Sequence, residues 1–129
     1  SGAFYNGVSL DATSFDFLIV PADGVSMEDA EAALDASVTQ FLEEGVDPDQ
    51  LERIKLQLRA SEIYARDNVD GIANRYGRAL TSGLTIADVQ VWPQILQSVT
   101  PDEIIAAAHE VLRPEASVTG WMMRQEEGE

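Results

Sequence analysis

The chain contains no cysteine, one histidine and few cations, and each shortage removes a class of function. Without cysteine there is neither a disulfide framework nor a thiolate nucleophile. A zinc site draws three or four ligands from Cys, His, Asp and Glu, and the lone imidazole, His109, is a poor start for one. His109 is better read as a cation near a helix C-terminus or as a surface residue. No G-x-S-x-G elbow is present, and the glycines are scattered singly rather than grouped into a phosphate loop. No apolar run approaches the roughly 20 residues of a membrane-spanning helix. Only 8 Lys and Arg stand against 23 Asp and Glu, a formal charge of −15. Phosphate backbones and anionic lipid surfaces both need clustered cations, so neither nucleic acid nor membrane is an expected partner. The acidity serves solubility, or alternatively attracts basic peptides.

What remains is ordinary for a globular protein. Hydrophobic residues make up 45% and charged residues 24% of the 129 positions, enough for one domain with a real core. The segment 125–129 is almost wholly polar and is expected to be a flexible tail. Ser1-Gly2-Ala3-Phe4-Tyr5 lacks a start Met and runs at once into a strand-like segment, so the expectation is a piece of a longer chain.

Residues 4–10 and 15–20 are rich in aromatic and branched residues around a turn-like Asp11-Ala12-Thr13-Ser14. They predict an antiparallel hairpin with Phe15, Phe17 and Ile19 on one face. A helix follows over 26–44, with Ser26 as N-cap to the Asp29 amide and a stripe of Met27, Ala30, Leu34, Val38, Phe41 and Leu42. Gly45 is placed to end it as a left-handed cap. Asp47-Pro48-Asp49-Gln50 opens the next helix, to about Arg66, with Asp47 capping and Gln50 reaching back. A third helix is predicted over 71–81, stopped by Gly83. Thr85 caps toward Asp88 in a short helix to about Val91. Trp92-Pro93 is expected to break it before a further short helix over 93–97. Thr100-Pro101-Asp102-Glu103 is a second capping box, and the helix it opens closes at Pro114. Residues 116–123 alternate as a last strand. The sum is an α+β layout, a small antiparallel sheet of hairpin plus C-terminal strand with several helices on one face. Three strands barely suffice, so a wider sheet would need upstream residues or another chain.

Other residues fall to structural roles. Phe4, Tyr5, Phe15, Phe17 and Phe41 are expected in the core or on a sheet face, and Trp92 and Trp121 as buried anchors or, alternatively, as a binding surface. Arg53, Lys55 and Arg59 are spaced to meet Glu52 and Glu62 in surface ion pairs. No catalytic, cofactor-binding or metal-ligating residue is expected in this chain.

The segment Gly45-Val46-Asp47-Pro48-Asp49-Gln50-Leu51-Glu52-Arg53-Ile54-Lys55 resembles the G-V-(T/D)-x-x-E-L-E-R-x-K stretch of the pitrilysin/insulinase family of zinc peptidases. Ile63 to Asn68 and Tyr76 to Gly83 resemble the helices that follow there. Ile95 to Ile104 resembles an I-x-x-V-T-x-x-D-(V/I) element, and Ser117-Val118-Thr119-Gly120 a closing strand. Asp16-Phe17 and Pro21-Ala22-Asp23-Gly24 fit the preceding strand and turn. The likeness covers nearly the whole chain. It implies the metallopeptidase fold and, within it, the second, C-terminal subdomain, which binds no metal. Zinc would be held upstream by an inverted H-x-x-E-H motif and a distal glutamate. That motif is absent here, and the Arg and Tyr with which some members grip substrate have no match. The resemblance therefore implies a non-catalytic scaffold and chamber wall, partnered by an upstream zinc-binding subdomain or a sister subunit and by peptide substrate. The parent would be a zinc metalloendopeptidase or a structural relative that has lost its zinc. A periplasmic or exported bacterial setting goes with the family. Isolated, such a piece is expected to expose apolar surface and to self-associate, most simply as a two-fold dimer.

Overall fold

A computed structural model describes residues 1–123. The fold is α+β, a two-stranded antiparallel hairpin followed by five helices. Strands β1 (Gly2–Tyr5) and β2 (Phe15–Leu18) pair with Ala3 opposite Phe17 and Tyr5 opposite Phe15. That register puts Ala3, Tyr5, Phe15 and Phe17 on one face, with the Tyr5 and Phe15 rings stacked at 6.2 Å and Phe15 and Phe17 at 5.2 Å. The alternation of β2 is as expected, but β1 stops at Tyr5 rather than reaching Leu10. Asn6-Gly7 is turn-forming and leaves strand geometry there.

Helix α1 (Met27–Glu44) is capped by Ser26, whose hydroxyl accepts the Asp29 amide at 3.0 Å. It ends at Gly45, where φ is +82° but ψ is extended, outside the left-handed helical well. Helix α2 (Pro48–Ala65) is capped by Asp47 through the Asp49 amide at 2.9 Å. The reciprocal bond from Gln50 is not made among the described residues. A last tightened turn, with the amides of Arg66, Asp67 and Asn68 reaching back three residues, leads into α3 (Val69–Thr81). Asn68 caps α3 through the Gly71 amide, so the helix starts two residues before Gly71. Its end is a Schellman motif: the Leu84 amide bonds the Ala79 carbonyl at 3.0 Å while Gly83 sits at φ +84°.

Helix α4 (Ile86–Ser98) corrects the expected break at Trp92-Pro93, for it runs unbroken through Pro93. Proline removes one amide-to-carbonyl bond and disfavours the helix. The Thr85–Asp88 capping box at one end and packing against both α2 and α3 outweigh that cost. Helix α5 (Pro101–Val111) opens with the expected Thr100–Glu103 box.

The expected third strand over 116–123 is not formed. Pro114–Ala116 makes a single 3-10 turn, and no regular structure follows through Met123. Alternation alone cannot hold an extended segment whose backbone finds no partner strand, and Val118 and Met122 are almost wholly exposed. One tie holds the segment, the Trp121 indole N–H donating to Glu31 of α1 at 2.9 Å.

Nor do the helices cover the sheet. They pack among themselves, α1 on α5 and α4 on both α2 and α3, while Phe4, Tyr5, Phe15 and Phe17 stay 39–63% exposed. Among the described residues only Ala30, Leu51, Ala79 and Val89 are buried. The chain exposes 10754 Å². A compact monomer of 14.0 kDa would expose roughly 6,700 Å².

Candidate functional site

Two of the concavities among the described residues lie between helices. The larger is an open depression of about 510 Å³ where the end of α1 and the Gly45-Val46 link face the start of α5. Leu42, Val46 and Ile105 supply its apolar wall, and Glu43, Asp102 and His109 stand around it. His109 thus sits in the last turn of α5, as the sequence suggested, with carboxylates in the same depression. One imidazole among exposed acids fixes no metal geometry. No group of three or more metal-type ligands converges among the described residues.

The smaller is a groove of about 130 Å³ between α2 and α4, floored by Leu58, Ile63, Pro93 and Leu96. A polar bridge closes one side. Arg59 donates to the Gln97 side-chain oxygen at 3.0 Å, and the Gln97 amide donates to the Lys55 carbonyl at 3.0 Å. Glu62, beside the groove, accepts from both guanidinium nitrogens of Arg75 on α3, Nη2 at 3.3 Å. These bonds lock three helices together, and none aims a free donor or base into the groove.

The weighed side chains fall as follows. Lys55 pairs with Glu52 at 3.3 Å, as expected. Glu62 instead takes Arg75 of α3, and Arg59 takes Gln97 of α4 across the α2–α4 contact, so partners on other helices replace neighbours on the same one. Trp92 and Trp121, expected to be buried, are 54% and 44% exposed. Phe41 is 37% exposed rather than core. In each case the second apolar layer that would cover the ring is missing.

Among the described residues two carboxyls depart from ordinary acidity, and both belong to caps. The Thr85 hydroxyl, then its amide, hold Asp88 below the usual range. The Thr100 amide, then its hydroxyl, do the same for Glu103, with Lys55 adding a minor attraction. Hydrogen bonds to the ionised form lower a pKa, and at helix N-termini that is structural work.

The most extensive unspent feature is surface. Leu56, Ile63 and Tyr64 on α2, Val69 and Ile86 at helix starts, and Trp92 on α4 are all more than half exposed. No helix among the described residues is long and apolar enough to cross a membrane. Comparison with family models, curated proteins and solved structures finds no match.

Proposed function

We propose that this chain is the C-terminal, non-metal-binding subdomain of a zinc metallopeptidase of the pitrilysin/insulinase kind, serving as scaffold and chamber wall. The observation that carries the reading is the incomplete core. A chain with four buried side chains among its described residues and open apolar faces on hairpin and helices is built to be completed by a neighbour. The short hairpin fits the same role, since two strands alone are marginal in water and invite further strands. In the intact protein an upstream subdomain would hold zinc and polarise water against a peptide carbonyl. The acidic wall would draw basic or unfolded peptides toward it. Zinc in this reading is held upstream rather than by this chain, and among the described residues no group of three or more metal-type ligands converges.

The runner-up is an assembly module from a relative that has lost its zinc, and the same incomplete core favours it equally. Sequencing the coding region upstream of Ser1 decides between them. H-x-x-E-H there, with chelator-sensitive peptide hydrolysis by the full protein and none by residues 1–129 alone, is the expected result. A family-like upstream domain without that motif supports the assembly module. No such domain at all, or hydrolysis by the isolated chain, overturns both.

A further inference from the structure

The chain has three asparagines, Asn6, Asn68 and Asn74, and they stand in different surroundings. Asn68 serves as a cap: its side-chain oxygen accepts the Gly71 amide at 2.9 Å, and the β-branched Val69 follows it. Asn74 lies inside α3, where helical hydrogen bonding holds the next backbone amide, that of Arg75. Asn6 has neither restraint. It is exposed, directly follows the last residue of β1 and belongs to no regular element. Its successor is Gly7, which has no side chain to shield its own amide. The side-chain bonds of the connection between the strands, Asp11 to the Ala12 amide and Ser14 to Asp16, lie at its far end. Among the described residues neither the Asn6 side chain nor the Gly7 amide has a hydrogen-bond partner.

We infer that Asn6-Gly7 is a self-modification site, at which the Gly7 nitrogen displaces ammonia from the Asn6 side chain and the product loosens the end of the hairpin. The Gly7 nitrogen gives its proton to solvent and bonds to Asn6 Cγ. The Cγ–Nδ2 bond breaks, and the nitrogen leaves as ammonia with a proton returned from solvent. The residue pair is now a succinimide. Water then opens the ring. Cleavage at Cγ gives aspartate, and cleavage at the backbone carbonyl gives isoaspartate. No atom changes oxidation state, and water is the only co-reactant. Nucleophile and carbonyl are held in adjacent residues, so the first step is intramolecular.

The products differ in what they do to the fold. Both add one negative charge. Isoaspartate also routes the main chain through Cβ and Cγ, inserting a methylene between β1 and Gly7. Gly7 lies against the Tyr5 ring, for a Cβ added there would stand 3.0 Å from Tyr5 Cε1. Tyr5 is opposite Phe15 in the ladder, with ring centres 6.2 Å apart. The inserted methylene moves Gly7 off the Tyr5 ring at the open end of a two-stranded hairpin, which is marginal in water. The inference does not depend on the peptidase reading, because it uses only residues of the hairpin.

The test is a time course of the 129-residue chain in warm neutral buffer, read by trypsin digestion and mass spectrometry. No Lys or Arg precedes Arg53, so peptide 1–53 carries Asn6 alone, while peptide 67–75 carries Asn68 and Asn74. Peptide 1–53 should exchange NH for O with first-order kinetics that do not depend on protein concentration. Asp23-Gly24 shares that peptide, but its isomerisation changes no mass. Peptide 67–75 should change many-fold more slowly. Edman sequencing of the isoaspartyl fraction of peptide 1–53 should halt after Tyr5, because the rerouted backbone resists that cleavage. Asn6→Gln, which would need a larger imide ring, should abolish the change. Denaturing urea should leave the Asn6 rate nearly unchanged, because the fold does not shield this pair. Near-UV circular dichroism in the tyrosine region should weaken as the wild type ages. Freshly prepared Asn6→Asp, which has the charge without the methylene, should keep the full signal. An unmodified peptide 1–53, equal rates in the two peptides, a change that persists in Asn6→Gln, a large acceleration in urea, or an aromatic signal that ageing leaves unmoved each overturns the inference.

Discussion

Thr100 and Glu103 show how much a single pair can organise. The Thr100 hydroxyl accepts the Glu103 amide, and the Glu103 carboxylate accepts the Thr100 amide at 2.8 Å, satisfying two donors at the start of α5. The Glu103 pKa is lowered from an ordinary value of 4.5 by those bonds. Its contribution is therefore complete above that value and is lost as pH falls through the lower, folded value. Asp88 behaves alike from 3.8 at the start of α4. Acid titration followed by far-UV circular dichroism should show helix loss beginning below pH 4.5. Thr100→Ala should remove the α5 part of that dependence and cost ~1 kcal/mol in urea unfolding at neutral pH. A Thr100→Ala protein with unchanged midpoint and unchanged acid transition would contradict this. Both boxes were legible from sequence, because a cap is a local pattern of four residues. The partners of Arg59 and Glu62 were not, because they lie 38 and 13 residues away and depend on how helices dock.

At the level of elements, α4 is the pivot, since it packs against both α2 and α3. Its interior Pro93 leaves the Val89 carbonyl without the usual amide four residues on. Pro93→Ala should restore that bond and raise stability by up to about 3 kcal/mol, read as a higher urea midpoint. A lower midpoint would mean that the ring's contact in the α2–α4 groove outweighs the missing bond. Sequence reading broke the helix here because it applied the local rule for proline without the tertiary contact that overrides it. Five helical regions and the hairpin were otherwise recognisable from periodicity and caps. The C-terminal strand was not a sound expectation. Val118, Gly120 and Met122 alternate, but a strand exists only where a neighbour accepts its backbone bonds.

For the whole molecule, the decisive quantity is how little is covered. The sequence has enough apolar residues for a core, and composition alone led to the expectation of one. Composition does not say whether those residues meet each other or wait for another surface. The helices pair in two groups, α1 with α5 and α2 and α3 with α4, and the hairpin has neither face sealed. No candidate active-site residue was read from the sequence, and the structure assembles no metal-ligand group among the described residues. What it adds is the location of uncovered faces, which no residue pattern could locate without helix–helix geometry.

The outer edge of β1 carries a practical lesson for handling the protein. Gly2-Ala3-Phe4-Tyr5 has no charged side chain and no proline to blunt its free amides and carbonyls. Such an edge can template like segments from other molecules, so concentrated stocks should slowly turn thioflavin-positive on storage. A lysine gatekeeper, Ala3→Lys, should lengthen the lag before that signal rises, and an unchanged lag would place the seed elsewhere.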